Sequence, residues 1–375
     1  MAEIDDTLPN ETITDEAFVE QEVTVPNEEM EESSEGVEVT MDEEGGAQID
    51  FDPKAEGLES QDHFSNLAEI MEDQYLGELG STLFDQYTEY KESRADWENT
   101  YREGLELLGF KYERRTEPFR GASGVNHPVL AEAVTQFQAQ AYKELLPADG
   151  PVRAQILGDI SNEKQDQANR VKDFMNYQIM DQMPEYEPEF DQMLFYLPLS
   201  GSTFKKIYYD DLLGRAVSKF VPADDLIVPY SANSLEDAEA IVHVIRMSEN
   251  EIRKQQVSGF YKDVEVGNPP VTSNELKDTE LKLEGITKNS NQDQFNLLEM
   301  HVDLDLEGFE DVGQDGEPTG IKLPYIVTIL ESTNEILSIR RNYTEDDPLK
   351  EKIKYFVQFK FLPGTGFYGF GLIHM

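Results

Sequence analysis

Hydrophobic residues recur mostly every three or four positions between residues 83 and 108, on a polar and acidic background. They are Leu83, Phe84, Tyr87, Tyr90, Trp97, Tyr101, Leu105 and Leu108. This spacing places apolar side chains on one face of a helix. Gly109 follows at a position that is typical of a C-terminal capping glycine. The pattern predicts one long amphipathic helix or a broken pair of helices.

Three further helices are predicted before residue 200. The first begins after Asn126, a suitable N-cap with Pro128 in the first turn, and ends at the sequence LPADGP. The second ends at Met183, before a proline, and its apolar positions are Val171, Phe174, Met175 and Ile179. The third starts at about Glu187 and carries Phe190, Leu194 and Phe195. We expect the apolar faces of all the helices to pack in the core.

The hydrophobic period shortens after residue 200. The sequence STFKKIYYDDLLGRAVSKFV predicts a β-hairpin that turns near Gly214, and AIVHVIRM predicts a strand followed by a short helix that Ser248 can cap. Residues 262–294 are polar and largely aperiodic, which indicates a flexible loop or insertion. Three more strand-rich runs follow: FNLLEMHVDLDL, YIVTILESTNEILSIRRNY with a turn at Thr333 and Asn334, and IKYFVQFKFL. Helices followed by strands indicate an α+β fold.

Acidic residues dominate the N-terminal stretch. Residues 1–60 contain 21 Asp or Glu and a single Lys, a charge of -20, and the remainder of the chain carries -26 of the total of -46. Residues 1–61 are poor in aromatic residues and have no hydrophobic periodicity, so they cannot bury enough apolar surface to offset the entropy of ordering. We interpret them as a disordered acidic tail, which serves either as a solubilising extension or as a binding segment for a basic partner.

Composition excludes several classes of protein. A surface this acidic repels duplex DNA, so sequence-specific groove readout is not expected. The chain has no cysteine, which excludes disulfides, thiolate metal sites and a cysteine nucleophile. No stretch has the length of a transmembrane span, and the acidic N-terminus does not have the basic region of a signal peptide. We expect a soluble protein that is made in the cytoplasm.

Three short motifs could carry chemistry. Gly364, Gly366 and Gly369 have the spacing G-x-G-x-x-G, but neither the βαβ unit nor the following helix of a dinucleotide site is visible, so we favour a strand-to-helix turn in which glycine permits positive φ. The sequence DLDLEGFEDVGQD imitates the start of a calcium loop, but its twelfth position is Gln314 instead of glutamate. We interpret this sequence as an acidic β-turn.

The third motif is basic. Arg114, Arg115 and Arg120 precede a glycine-containing loop and a helix start, where they could hold an anion or pair with carboxylates within or between subunits. The five histidines are far apart in sequence and share no ligand spacing: His63, His127, His243, His301 and His374. We predict no catalytic residue, no cofactor and no metal site.

Several segments together resemble the N-terminal portion of tailed-bacteriophage portal proteins, the head-to-tail connectors, of the long podovirus type. They are FRGASGVNHPVLAEAVTQFQAQAYKELLPADGPV, PLSGSTFKKIYYDDLLGRAVSKFVPADDLIVPYSANSLEDAEAIVHVIRMSENEI, EILSIRRNY and FLPGTGFYGFGLIHM. The resemblance covers about residues 80 to 375, and the order of the segments matches better than any single one. It divides the chain into the tail at 1–61, a helical part of a portal wing at 62–199 and a β-rich part of the wing at 200–375, with the insertion at 262–294.

The resemblance implies a non-enzymatic subunit of a homo-oligomeric ring, usually a dodecamer, at one vertex of a capsid. Double-stranded DNA is packaged and ejected through such a ring. The implied partners are identical subunits, the terminase motor, capsid and scaffolding proteins, tail or head-completion proteins and transient DNA, without a membrane. The implied location is the virion, and the host cytoplasm during assembly. The stem helix is expected beyond residue 375, which makes the terminal glycines a strand-to-stem turn.

Two other functions remain open at this point. The terminal glycine loop could serve a nucleotide-dependent enzyme, and the acidic tail could belong to an interaction protein that sequesters a basic partner.

Overall fold

The computed structural model describes residues 38–41, 47–50, 63–108, 119–120, 127–210, 213–267, 279–281, 294–313, 317–364 and 366–375. The chain divides into two compact units, Met1–Asp62 and His63–Met375. In the first unit, strands β1 (Glu38–Met41) and β2 (Ala47–Asp50) pair antiparallel. This pairing departs from the disorder that we predicted for residues 1–61, and the rest of that stretch lies outside the described residues.

The second unit begins with helices. Their bounds are α1 Asp73–Ser93, α2 Ala95–Leu108, α3 Val129–Leu145, α4 Asn162–Tyr177 and α5 Tyr186–Ser200. The pattern at residues 83 to 108 is therefore a broken pair, interrupted at Arg94. A 3-10 helix, Leu67–Glu69, precedes α1, and a π-helical turn, Gln178–Gln182, extends α4.

The predicted helix starts and caps agree with the structure only in part. Helix α3 begins at Val129 with Pro128 in the N-cap position and no side-chain cap, while Asn126, like Gly109, lies outside the described residues. Helix α4 has a cap that we did not predict, because the Ser161 hydroxyl accepts a hydrogen bond from the amide N of Lys164. Our expectation that α4 packs in the core is wrong, since none of its residues is buried.

Strands follow directly after Ser200. They are β3 Ser202–Asp210, β4 Arg215–Pro222, β5 Leu226–Ile227, β6 Ala240–Ser248, β7 Gln294–Leu304, β8 Leu323–Leu330, β9 Ile336–Arg341 and β10 Phe356–Lys360, with helix α6 (Glu249–Val257) after β6. One antiparallel sheet has the order β10-β3-β4, and the other has the order β5-β6-β7-β8-β9. The α+β class is confirmed.

Local sequence signals account for several of these elements. The β3–β4 hairpin turns at Gly214, whose φ of 62° lies in the left-handed region that glycine tolerates. Ser248 and Glu251 form a complete capping box at the start of α6, as Ser248 led us to expect. Asn334, at the predicted turn between β8 and β9, has a φ of 61°. The insertion predicted at 262–294 lies largely outside the described residues.

Each of the two larger sheets is covered by its own set of helices. Helix α1 packs Leu76, Leu83 and Tyr87 on one face of the five-stranded sheet, against buried side chains that include Leu298, Met300, Tyr325 and Val327. Helices α3 and α5 cover the three-stranded sheet, where Phe190, Met193 and Leu194 pack with Phe220 and Phe359. Burying these large apolar side chains supplies the main favourable term for folding.

Arg94, at the break between α1 and α2, joins three distant parts of the chain. Its guanidinium is 2% exposed and donates hydrogen bonds to the carbonyl oxygens of Ala223, Asp224 and Leu226. It also donates to the Tyr368 hydroxyl at 3.0 Å and pairs with Glu98 at 2.7 Å. A buried cation with this many acceptors is stable because each lost water contact is replaced.

We predict that Arg94→Met lowers the free energy of unfolding by about 3–5 kcal/mol, because the substitution leaves buried carbonyl oxygens without donors. Urea denaturation measures this loss. The matched control is Arg253→Met, because Arg253 is exposed on α6 and its ion pair with Asp263 is also exposed. The control should lose less than about 1 kcal/mol. Equal losses in the two variants would contradict the role of Arg94.

Candidate functional site

The predicted arginine cluster is only partly described. Arg120 is exposed, and Arg114 and Arg115 lie outside the described residues, together with the loop at 121–126. Their role as a subunit contact or an anion contact stays a prediction.

The terminal glycines lie in a turn that folds back on itself. After β10 the amide of Phe370 donates to the carbonyl oxygen of Leu362 at 2.9 Å, which closes the turn, and a 3-10 helix, Leu372–His374, follows. None of Gly364, Gly366 and Gly369 has a positive φ. Our expectation that these glycines are needed for positive φ is therefore wrong.

Close backbone packing is the reason for two of these glycines. A Cβ atom on Gly369 would lie 2.5 Å from the carbonyl oxygen of Gly201 and 2.7 Å from that of Leu362. A Cβ atom on Gly364 would lie 2.5 Å from the carbonyl oxygen of Tyr368. Gly366 has open space around it. The absence of a side chain lets the turn lie directly against the end of α5.

Three amides at the end of this turn, those of Gly369, Phe370 and Gly371, already have partners. The amide of Gly369 donates to the Ser202 hydroxyl at 2.7 Å, and the amide of Gly371 donates to His374 Nδ1 at 3.0 Å. A phosphate cradle needs such amides free and a helix N-terminus beside them. Here the preceding strand belongs to an antiparallel sheet, whereas a dinucleotide site follows a parallel strand. The geometry does not favour a phosphate site at this turn.

The predicted and observed packing differ most at α4, whose apolar face was expected in the core and is exposed. Val171, Phe174 and Met175 lie within one third of the helix circumference and are 49%, 59% and 42% exposed. We call these three residues the α4 face. Leu157 and Ile160, just before the helix, are also exposed. Apolar surface of this kind on one helix is typical of an interaction site.

Helix α4 is tied to the described residues mainly near its C-terminal end. The Asn176 side chain accepts a hydrogen bond from the amide of Val152 at 2.9 Å and donates to the carbonyl oxygens of Asp149 and Val152. A helix of 16 residues with no buried side chain has little stability of its own. The helix is also neutral, with three acids and three bases in a chain of charge -46. This surface therefore suits contact with another protein.

A second candidate site lies between the two sheets. Glu299 of β7 holds Lys206 of β3, whose Nζ lies 2.6 Å from both carboxylate oxygens. His301 Nε2 lies 3.0 Å from Glu299 Oε1, and His243 Nδ1 lies 3.8 Å from the same oxygen. We did not predict this cluster. Glu299 and His301 share a face because they are two residues apart on β7, but His243 joins them only through the pairing of β6 with β7, and Lys206 only through the packing of β3 on β7.

Burial and neighbouring charges shift the pKa values of this cluster in opposite directions. Burial alone would raise the pKa of Glu299, but the Lys206 charge and the two histidine contacts hold it well below the usual range. Burial lowers the pKa of His301, and the contact with Glu299 only partly opposes this effect. Glu299 is therefore ionised and His301 is neutral at neutral pH.

The cluster does not have the geometry of a metal site. Within the described residues, no group of three His, Cys, Asp or Glu side chains is arranged to hold a metal ion. Lys206 already occupies both oxygens of Glu299. The arrangement instead joins the three-stranded sheet to the five-stranded sheet.

No family model matches the chain, and no curated protein matches it significantly. Among the helices that the structure describes, none is long and apolar enough to cross a membrane.

We predict that Gly369→Ala lowers the free energy of unfolding by about 1–3 kcal/mol, because the added methyl group would meet backbone atoms that cannot move independently. Gly366→Ala is the matched control, since a methyl group there meets nothing within 4 Å. The control should be neutral or slightly stabilising. Urea denaturation compares the two variants, and equal destabilisation would show that close packing is not the reason for Gly369.

We also predict that stability falls as the pH is lowered from about 7.5 to 5.5. His301 stays neutral in the folded protein but takes up a proton near pH 6.5 when unfolded, so protons favour the unfolded chain. Its contribution is fully present above that range and is lost as the pH falls, by at most about 1.4 kcal/mol per pH unit.

The measurement is a series of urea denaturations at different pH values. His301→Gln should show a smaller loss of stability over this range, and the exposed-site control His127→Gln should behave like the unchanged protein. If both variants keep the full pH dependence, His301 is not its source.

Proposed function

We propose that this protein is a subunit of a portal ring, through which double-stranded DNA is packaged and ejected at one capsid vertex and which connects head to tail. The observation that carries the proposal is the exposed α4 face, because the part of the chain that the structure describes does not cover its apolar side chains. The order of the segments that resemble portal proteins supplies the identity of the assembly.

Charge favours identical subunits meeting through α4. Two copies of a chain with a charge of -46 repel each other over most surfaces. A neutral helix with exposed Val171, Phe174 and Met175 lowers that repulsion and offers apolar area to bury. Repetition of one such contact between different surfaces of neighbouring copies closes a ring. Helix α4 therefore suits the contact between neighbours.

The terminal turn fits the proposed path into a stem. The turn is anchored firmly, because Tyr368 accepts a hydrogen bond from Arg94 and stacks on Trp97 with ring centroids 4.7 Å apart. Ile373 packs so closely on Gly104 of α2 that any side chain at Gly104 would collide with it. We propose that this anchor sets the direction in which a stem helix leaves the wing.

The proposal gives the acidic balance a role. A channel that held phosphates tightly would stop the DNA, whereas an acidic wall lets it slide. Terminase, capsid, scaffolding and tail or head-completion proteins are the partners that this function needs. The subunit acts by assembly and not by catalysis, in the virion and during its assembly in the host.

We predict that Phe174→Asp and Val171→Asp weaken each contact between subunits by about tenfold or more, because a carboxylate would have to be desolvated in an apolar interface. Native mass spectrometry and negative-stain electron microscopy at matched concentrations report the fraction of rings. The unchanged protein should form closed rings, and the two variants should give monomers and short open arcs.

Val257→Asp is the matched control. Val257 is 78% exposed at the end of α6, on a different part of the molecule, so the same substitution there should leave rings intact. If the unchanged protein remains entirely monomeric at high concentration, the portal proposal is contradicted. Full rings of Phe174→Asp would contradict the part played by α4 and leave the portal proposal standing.

A further inference from the structure

Asp311 joins two loops at one end of the five-stranded sheet. Its carboxylate accepts a hydrogen bond from the Thr319 hydroxyl at 2.7 Å and forms an ion pair with Lys350. Its carbonyl oxygen accepts from the amide of Thr319 at 2.7 Å. Asp311 and Thr319 belong to the loop between β7 and β8, and Lys350 belongs to the loop after β9. The two loops are therefore held side by side.

Three apolar side chains are exposed where these loops meet. Each lies within two residues of a member of the Asp311 network. They are Val312, Ile321 and Leu349, which are 61%, 58% and 76% exposed. We call these three residues the loop face. Exposed apolar side chains that are grouped in this way are typical of an interaction site.

Acidic residues surround the loop face. Residues 303–313, 317–322 and 344–351 contain ten Asp or Glu and two Lys, a charge of -8 in 25 residues. This charge density is more than twice that of the whole chain, which carries -46 in 375 residues. The loop face therefore combines an apolar centre with an acidic rim.

Helix α4 has the opposite arrangement of charge. Successive residues of a helix are about 100° apart around its axis, so Arg170 and Lys172 lie on either side of Val171. The same spacing places Asp166 and Asp173 on the opposite side of the helix. The bases of α4 therefore lie closer to its apolar side chains than these two acids do.

The other charges of α4 do not cancel this basic rim. Glu163 and Lys164 are neighbours in the first turn, so their charges offset each other. Lys172 contacts Asp173 at 3.3 Å, but both side chains are exposed, and water weakens such a pair. Arg170 is also exposed. The α4 face therefore has an apolar centre and a basic rim.

We propose that the α4 face of one copy docks on the loop face of a neighbouring copy. This assignment rests on the proposed portal ring, and it names the second surface that such a ring needs, because a ring repeats one contact between two different surfaces. The apolar side chains meet at the centre of the contact, and the basic rim of α4 meets the acidic rim of the loop face.

Charge disfavours the alternative contacts between like surfaces. Two α4 faces would bring two basic rims together, and two loop faces would bring together two surfaces that each carry a charge of -8. Only the pairing of unlike faces opposes charges of different sign. The contact is therefore directional, which lets the assembly continue from copy to copy until it closes.

Cysteine crosslinking of the full chain tests the contact, because the chain has no cysteine of its own. Met175→Cys and Leu349→Cys each place one thiol at an exposed position, on the α4 face and on the loop face. The two variants are mixed, assembled into rings and treated with a flexible thiol-specific crosslinker. We expect covalent dimers in the mixture and none with either variant alone. Val257→Cys mixed with Met175→Cys is the matched control and should give none.

The outcomes separate this contact from the portal proposal. Covalent dimers of Met175→Cys alone would show that two α4 faces meet and would refute the assignment. Rings that give no covalent dimer in the mixture would also refute it, and the portal proposal would stand. If the unchanged protein forms no rings and the mixture gives no covalent dimer, both proposals are wrong.

A substitution on the loop face gives an independent measurement. Leu349→Asp should weaken each contact between subunits by about tenfold or more, because the added carboxylate would have to be desolvated in the apolar centre. Its Tm should equal that of the unchanged monomer, since Leu349 is exposed. Native mass spectrometry reports the loss of rings. Full rings of a folded Leu349→Asp would contradict the part played by the loop face.

Discussion

The fold of residues 63 to 375 depends on one buried cation. The helical pattern breaks at Arg94, whose guanidinium donates to carbonyl oxygens of Ala223 and Asp224, between β4 and β5, and of Leu226 in β5. The same group holds the Tyr368 hydroxyl, and Tyr368 in turn donates to the Leu226 carbonyl oxygen at 3.0 Å. Arg94 therefore links the α1–α2 pair, the connection from β4 to β5 and the terminal turn. A buried cation requires all of its acceptors to be in place, so these three parts must be positioned together.

Charge has different roles inside and outside this protein. The exterior carries most of a charge of -46, which keeps copies apart except where a surface is neutral. The interior places its charges in pairs between the two sheets, where Lys206 meets Glu299 and Arg246 meets Asp225. Such pairs add specificity to sheet packing because a wrong arrangement leaves a buried charge alone.

Local patterns in the sequence predicted much of the architecture. The Ser248 cap and the turn at Gly214 are decided by neighbours within a few residues, and the structure has both. In residues 63–375 it also has the predicted order, with the long helices before the strands. The helix at Val171 and Phe174 was also predicted, but its packing was not. Periodicity indicates that a helix has an apolar face, and it contains no information about whether the same chain covers that face.

The sequence by itself determined the fold class, most secondary structure and the acidic balance, because hydrophobic period, turn residues and charge are properties of short segments. Only the tertiary structure decided why Gly369 has no side chain, since the atom that excludes one belongs to Gly201, far away in sequence. It alone placed His243 of β6 and Lys206 of β3 beside Glu299, through strand pairing and sheet packing that no spacing reveals. Close approach and long-range pairing depend on how distant segments meet, and that is settled only when the core has packed.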